Sequence, residues 1–136
     1  MNNKTRFLVI GLGYVGINLF YNLNKYYHHV YGLDTSRKKV AEIKNNIDST
    51  QQISNLKKIK KKVYNSIKNK KFDIIFICVP TPVKNKKPDL KNIEQAFVSA
   101  SKFLNSGGVI VNESTVYPGL TRELALKFVN KKHFRL

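Results

Sequence analysis

The sequence predicts an α/β domain, a parallel sheet with helices on both faces. Three observations carry that reading. Short runs of β-branched and bulky apolar residues alternate along the chain with stretches whose apolar residues return every three or four positions. The first such run ends in a glycine-rich turn, and no internal repeat or linker interrupts the order. Strands that alternate with helices imply parallel pairing through crossover connections, which covers both sheet faces.

The elements follow in order. Arg6 to Ile10 reads as a buried first strand that stops at Gly11. From Tyr14, the positions Val15, Leu19, Phe20 and Leu23 give a helix running out between Asn24 and Tyr27. A second strand, Val30 to Leu33, ends at Asp34. Thr35 and Ser36 are good caps for a helix with Val40, Ile43 and Ile47 on its buried face. Ile53, Leu56, Ile59, Val63 and Ile67 keep helical steps with lysines between them, so residues 53–71 are expected to form an amphipathic helix with a basic outer face.

Phe72 to Val79 is the most apolar run, a central strand stopped by Pro80. After a polar loop at 84–88, Asp89 caps a helix with the stripe Leu90, Ile93, Phe97, Ala100 and Leu104, ended by Ser106-Gly107-Gly108. Val109 to Asn112 is the next strand, Glu113 to Gly119 a loop, and Thr121 the cap of a last helix reaching about Phe128. That makes four clear strands, with a fifth expected to begin at His133.

A length of 136 residues with 42% hydrophobic content supports one core, so the whole chain, 1–136, is read as one domain. No apolar run reaches the ~20 residues that span a bilayer. Met1 to Arg6 leads directly into a strand, unlike a signal peptide, and a cytoplasmic location with no membrane partner is expected. The single cysteine, Cys78, excludes an internal disulfide and any CxxC motif. His28 and His29 read as helix-end residues without a third ligand, so no metal site is expected.

The formal charge of +17 raises nucleic acid as a partner. The excess is almost all lysine, scattered among many asparagines, as a base-composition bias in the coding DNA also produces, and the basic run 57–71 holds only Tyr64 for base stacking. No specific nucleic-acid partner is expected. A non-catalytic basic binding module stays the alternative from a different functional class.

Gly11-Leu12-Gly13-Tyr14-Val15-Gly16 is a GxGxxG that follows a strand and opens a helix, with the acidic Asp34 closing the second strand about 20 residues on. Gly11 permits the tight turn, Gly13 lets backbone approach a pyrophosphate, and Gly16 lets helix and strand pack closely. The pyrophosphate would sit at the helix N-terminus, where N–H groups and the helix dipole favour an anion. Asp34 would accept the adenosine ribose hydroxyls and repel a 2′-phosphate, which favours NAD over NADP. Arg37, Lys38 and Lys39, just beyond it, complicate that choice because a cation there can hold the extra phosphate; a solvated first turn of helix is the other reading of each. These features define a Rossmann-type dinucleotide-binding sheet of four to five strands.

GLGYVG, then Val79-Pro80-Thr81-Pro82, Pro88-Asp89-Leu90 and Glu113-Ser114-Thr115-Val116-Tyr117-Pro118-Gly119, in order and across essentially the whole chain, resemble the amino-terminal domain of the UDP-glucose/GDP-mannose dehydrogenase family. The ESTVYPG form, with Ile47-Asp48-Ser49-Thr50 upstream, is most similar to the branch acting on UDP-N-acetylhexosamines for surface polysaccharide, the Vi-antigen type of 6-dehydrogenase.

The resemblance implies oxidation of a UDP-sugar C6 alcohol to a uronic acid with two NAD+. It implies cofactor contacts at Gly11, Leu12, Gly13, Tyr14, Val15, Gly16, Asp34, Lys39, Pro80, Thr81 and Thr115. It also places Thr115 beside a water near the reacting carbon, as the catalytic residue of this chain; from its loop position alone, a hydroxyl satisfying a local turn is the other reading. Glu113 is not assigned as a base. The family's nucleophilic cysteine and its partners lie in a carboxyl-terminal domain, so Cys78, inside an apolar strand, reads as a small buried hydrophobe.

The chain stops about where the resemblance passes into the rest of the sheet and a long helix. The expectation is a fragment, whether truncated product, split-gene half or expressed piece, that binds NAD without turnover. A UDP-sugar partner would need the missing parts, and full-length relatives are expected to be homo-oligomers. A β-hydroxyacid dehydrogenase cofactor domain, of similar topology, is the alternative within the enzyme class; the VPTP and ESTVYPG segments argue against it.

Overall fold

The computed structural model describes residues 4–84 and 86–129. In chain order the elements are β1 (Phe7–Ile10), α1 (Tyr14–Tyr26), β2 (Val30–Leu33), α2 (Arg37–Lys44), β3 (Val63–Tyr64), β4 (Phe72–Ile77), β5 (Val83–Lys84), β6 (Lys87–Pro88), α3 (Lys91–Phe103), β7 (Leu104–Asn112) and α4 (Leu120–Phe128). Five strands form one parallel sheet in the order β3-β2-β1-β4-β7, and β5 and β6 form a separate antiparallel hairpin.

All four residues of β1 are buried because it has a paired strand on each side and helices on each face. Its alternating side chains feed two cores. Leu8 and Ile10 pack with Ile75, Ile77, Ile93, Phe97, Leu120 and Leu124, so α3 and α4 cover one face. Phe7 and Val9 pack with Ile17, Phe20, Val40, Ile43, Leu56 and Ile59, so α1 and α2 cover the other. Fully burying each such side chain contributes about 1.5–3 kcal/mol. The chain winds outward from β1 through β2 to β3, then returns to β4 on the opposite side of β1. That reversal opens a crevice between the carboxyl ends of β1 and β4, where sheets of this kind bind ligands.

Several expectations are corrected. Residues 53–71 do not form a helix: a single 3-10 turn at Lys60–Lys62 leads into β3, whose Val63 and Tyr64 pair with Gly32 and Leu33. The turn chemistry of the segment prevails over its periodicity. Asn46 Oδ1 accepts the Leu56 N–H, Asn55 Oδ1 accepts the Lys57 N–H, and Asn69 adopts a positive φ of 54°. The apolar residues of that pattern are nonetheless used, since Leu56, Ile59, Val63 and Ile67 are all buried. The fifth strand of the sheet is therefore β3; the one expected from His133 lies outside the described residues.

Ile17, not Val15, is the inward residue of the first turn of α1, and Val15 is 57% exposed. Ile47 lies past the end of α2 and is exposed. Helix α3 ends at Phe103, ahead of Ser106, because Leu104 already pairs with Phe72. Gly107, at φ +74°, and Gly108 instead lie in an irregular stretch of β7 between the Leu104 and Val109 pairings. Gly119 occupies the N-cap of α4, and Thr121 accepts a hydrogen bond from the Asn112 side chain. Leu90 holds the N-cap position of α3, although Asp89 Oδ1 does accept the Lys91 N–H at 3.1 Å.

Candidate dinucleotide site

β1 delivers the chain into Gly11 at φ +89°, a backbone region closed to most side chains. A Cβ at Gly11 would also lie 2.6 Å from the Cys78 carbonyl oxygen. One at Gly16 would collide with the Gly11 carbonyl oxygen, so α1 approaches β1 only because residue 16 lacks a side chain. Gly13 is different. Its φ of −73° suits any residue, and a Cβ there would meet no protein atom within 4 Å. Gly13 lines a cavity of about 830 Å³ at the carboxyl ends of β1, β2 and β4, in the size range of small-molecule sites.

That cavity faces the start of α1, whose first turn has no side-chain cap and no acidic residue. Its leading N–H groups have no partner within the helix and carry the positive end of the helix dipole. On the β2 side, Asp34 Oδ2 accepts the Leu12 N–H and Oδ1 accepts the Ser36 N–H, both at 2.8 Å. A carboxylate has about four acceptor directions, so Asp34 holds the loop and keeps capacity for ligand hydroxyls. Ser36 caps α2 by accepting the Lys39 N–H at 3.2 Å. Lys39 lines the cavity beside it, and its ammonium donates to Ser49 Oγ at 2.7 Å.

The structure thus brings Gly11, Gly13, Asp34, Lys39 and Pro80 to one cavity wall. Leu12 is wholly buried with its N–H taken by Asp34, Gly16 is buried beneath the turn, and Tyr14 and Val15 are exposed. Thr81 and Thr115 lie outside the cavity wall but together: Thr81 Oγ1 donates to the Thr115 carbonyl oxygen at 2.7 Å. Ser114 clips the same two strand-end loops, accepting the Val79 N–H at 3.1 Å.

Asn92, Gln95 and Ser99 on α3 also line the cavity and were not read from the sequence as site residues. Their signal was available as a polar row at helical spacing beside the buried Ile93, Ala96 and Ala100. Cys78 sits one residue past β4, half-buried in the cavity wall. Burial, with the nearby Glu113 carboxylate, pushes its thiol up to about 12, so it is held neutral. His28 and His29 are exposed past the end of α1. No group of three His, Cys, Asp or Glu placed to hold a metal occurs among the described residues, nor a helix long and apolar enough to cross a membrane.

The family model described as UDP-glucose/GDP-mannose dehydrogenase family, NAD binding domain, matches residues 5–135. Protein CapL of Staphylococcus aureus is 38% identical over 129 residues, which cover 90% of this chain and 30% of that protein. The UDP-N-acetyl-D-glucosamine 6-dehydrogenase of Pseudomonas aeruginosa is 35% identical over 128 residues, with the same coverage of 90% and 30%. Among solved structures, the UDP-D-ManNAc dehydrogenase of Pyrococcus horikoshii superposes with a TM-score of 0.85 at 24% identity, over 96% of this chain and 34% of that one. The chain therefore spans about 30% of the length of the relatives it matches.

Proposed function

This chain is an NAD-binding domain of the UDP-glucose/GDP-mannose dehydrogenase family, and from that premise we propose that it is the cofactor module of an enzyme oxidising the C6 alcohol of a UDP-N-acetylhexosamine to the uronic acid. The observation that carries the cofactor part is Gly13. No protein atom beyond its chain neighbours comes within 4 Å of where a Cβ at Gly13 would stand, and a pyrophosphate lying against the start of α1 would use that room. The uncapped N–H groups of α1 would receive that pyrophosphate, Asp34 the adenosine ribose, and Lys39 the adenosine side. Pro80, Thr81 and Thr115, past the carboxyl ends of β4 and β7, would flank the nicotinamide end.

Bound NAD+ supplies the hydride acceptor, and two such oxidations with one water take the alcohol to the carboxylate. The part assigned to this chain is to bind, orient and exclude solvent. The Thr81 bond fixes the backbone of Thr115, whose side-chain hydroxyl has no partner among the described residues and would hold water near the reacting carbon. Chemistry on the sugar is assigned to the length of the relatives that these residues do not cover.

The test is NADH formation from NAD+ and UDP-N-acetylglucosamine, by the 136-residue chain and by a fusion that adds the remaining portion of the Pseudomonas relative. Turnover by the fusion, with binding alone by the chain, is expected. A folded fusion that binds NAD+ and forms no NADH with this or the corresponding mannosamine substrate would contradict the sugar-oxidising assignment.

A further inference from the structure

Three consecutive basic residues, Arg37, Lys38 and Lys39, open α2 directly beyond Asp34, where a 2′-phosphate would lie if NADP were bound. Arg37 and Lys38 are exposed, and only Lys39 lines the cavity. Its ammonium is already engaged. Lys39 Nζ donates to Ser49 Oγ at 2.7 Å, and that hydroxyl donates onward to Glu42 Oε2 at 2.8 Å. Ser49 belongs to the loop after α2, whose shape is set by its neighbour. The Asp48 carboxylate accepts the N–H groups of Thr50, Gln52 and Ile53 and the Thr50 hydroxyl, so Ser49 is presented by a braced turn.

We propose that Ser49 and Glu42 are specificity-determining positioning residues: together they draw the Lys39 charge toward Glu42 and so keep the corner beside Asp34 selective for NAD over NADP. The inference rests on the dinucleotide site proposed above and adds residues that the glycine motif and Asp34 do not reveal. A free ammonium at Lys39 would attract a 2′-phosphate and offset the repulsion from Asp34. Bonded through Ser49 and compensated by Glu42, it offers that phosphate much less. An exposed loop serine thereby acts on the cofactor choice without touching the cofactor.

The test is calorimetric titration with NAD+ and with NADP+ at one fixed ionic strength, for wild type, Ser49→Ala, Glu42→Gln, Ser49→Thr and Ser49→Ala/Lys39→Ala. The readout is the ratio of NADP+ to NAD+ affinity, which a general loosening of the fold would leave unchanged. Ser49→Ala should raise the ratio about fivefold, the equivalent of one exposed polar contact of about 1 kcal/mol. Glu42→Gln should move it in the same direction, Ser49→Thr should keep the wild-type ratio, and the double variant should lose the gain. An unchanged ratio in both Ser49→Ala and Glu42→Gln, with NAD+ still bound, overturns the inference and leaves the site reading intact. A gain that persists without Lys39 overturns it too. A wild-type chain that binds neither cofactor overturns both. If Ser49→Ala does not fold by circular dichroism, Glu42→Gln is compared with Glu42→Gln/Lys39→Ala, because Glu42 Oε1 also lies 4.0 Å from Lys38 Nζ; a gain that persists without Lys39 overturns the inference there too.

Discussion

The carboxylate of Asp34 accepts the backbone N–H of Leu12 at 2.8 Å, tying the end of β2 to the turn between β1 and α1. The ribose-binding acid of the proposed site is therefore also a structural clasp on the loop that would carry the pyrophosphate. Asp34→Ala leaves the Leu12 and Ser36 N–H groups without their acceptor. Urea unfolding should show a loss of about 1–3 kcal/mol. Titration should show NAD+ affinity falling about tenfold or more, with the preference over NADP+ narrowed. Unchanged unfolding would show that the clasp contributes nothing to the fold.

Gly16→Ala should be among the most destabilising single substitutions in the first turn. The new Cβ collides with the Gly11 carbonyl oxygen, which is backbone and cannot rotate away, so α1 must shift off β1. A loss of about 2–4 kcal/mol in urea denaturation is expected, as for overpacking compounded by backbone displacement. A midpoint equal to wild type would mean that helix and strand do not pack as closely as described.

How far the sequence discloses this arrangement depends on whether a segment's own chemistry agrees with its burial pattern. β2 is read with its bounds because Val30 to Leu33 is apolar, short and closed by Asp34, and every local signal agrees. Residues 53–71 are misread because Leu56, Ile59, Val63 and Ile67 recur at helical spacing while Asn46, Asn55 and Asn69 impose turns. A chain crossing the sheet edge through turns can bury every third or fourth residue as a helix does. The site divides the same way. Gly11, Gly13, Asp34 and Lys39 were legible from a local motif and the resemblance, whereas Asn92 and Gln95 join the cavity only through the packing of α3. The Lys39, Ser49 and Glu42 chain depends on a loop fold that spacing alone does not encode.

Cys78 should react slowly with thiol reagents. With its thiol pushed up to about 12 by burial and the Glu113 carboxylate, the thiolate fraction at pH 8 is about a thousandth of that of an ordinary cysteine near 9. Alkylation by iodoacetamide, followed by mass spectrometry, should be correspondingly slow in the folded chain and reach the ordinary rate in urea. Equal rates in both states would place the thiol in solvent.

The Asp48 turn should make stability fall in acid. Burial raises the Asp48 carboxyl, but the Thr50 hydroxyl and the N–H groups of Thr50, Ile53 and Gln52 together hold it below its ordinary value of 3.8. A depressed folded value contributes stability that is present above the unfolded value and is lost as pH falls through the folded one. Thermal melts should therefore show a larger drop between pH 5 and about pH 3 in wild type than in Asp48→Asn, which starts lower at pH 7. Parallel pH profiles would rule out the carboxylate as the brace of this turn.

Gly13 separates cofactor binding from folding more cleanly than any other position in the site. A Cβ there would meet nothing within 4 Å beyond its chain neighbours, and Gly13 lines the cavity at the start of α1. The decisive measurement is calorimetric titration of NAD+ into wild type and Gly13→Val, with urea unfolding of both. Saturable binding by wild type, and at least about a tenfold loss in a variant that still unfolds cooperatively, is the predicted result; the N-cap position of residue 13 makes a somewhat lower midpoint expected as well. Equal NAD+ affinity in the two proteins would contradict the account, because the dinucleotide would then not lie over Gly13.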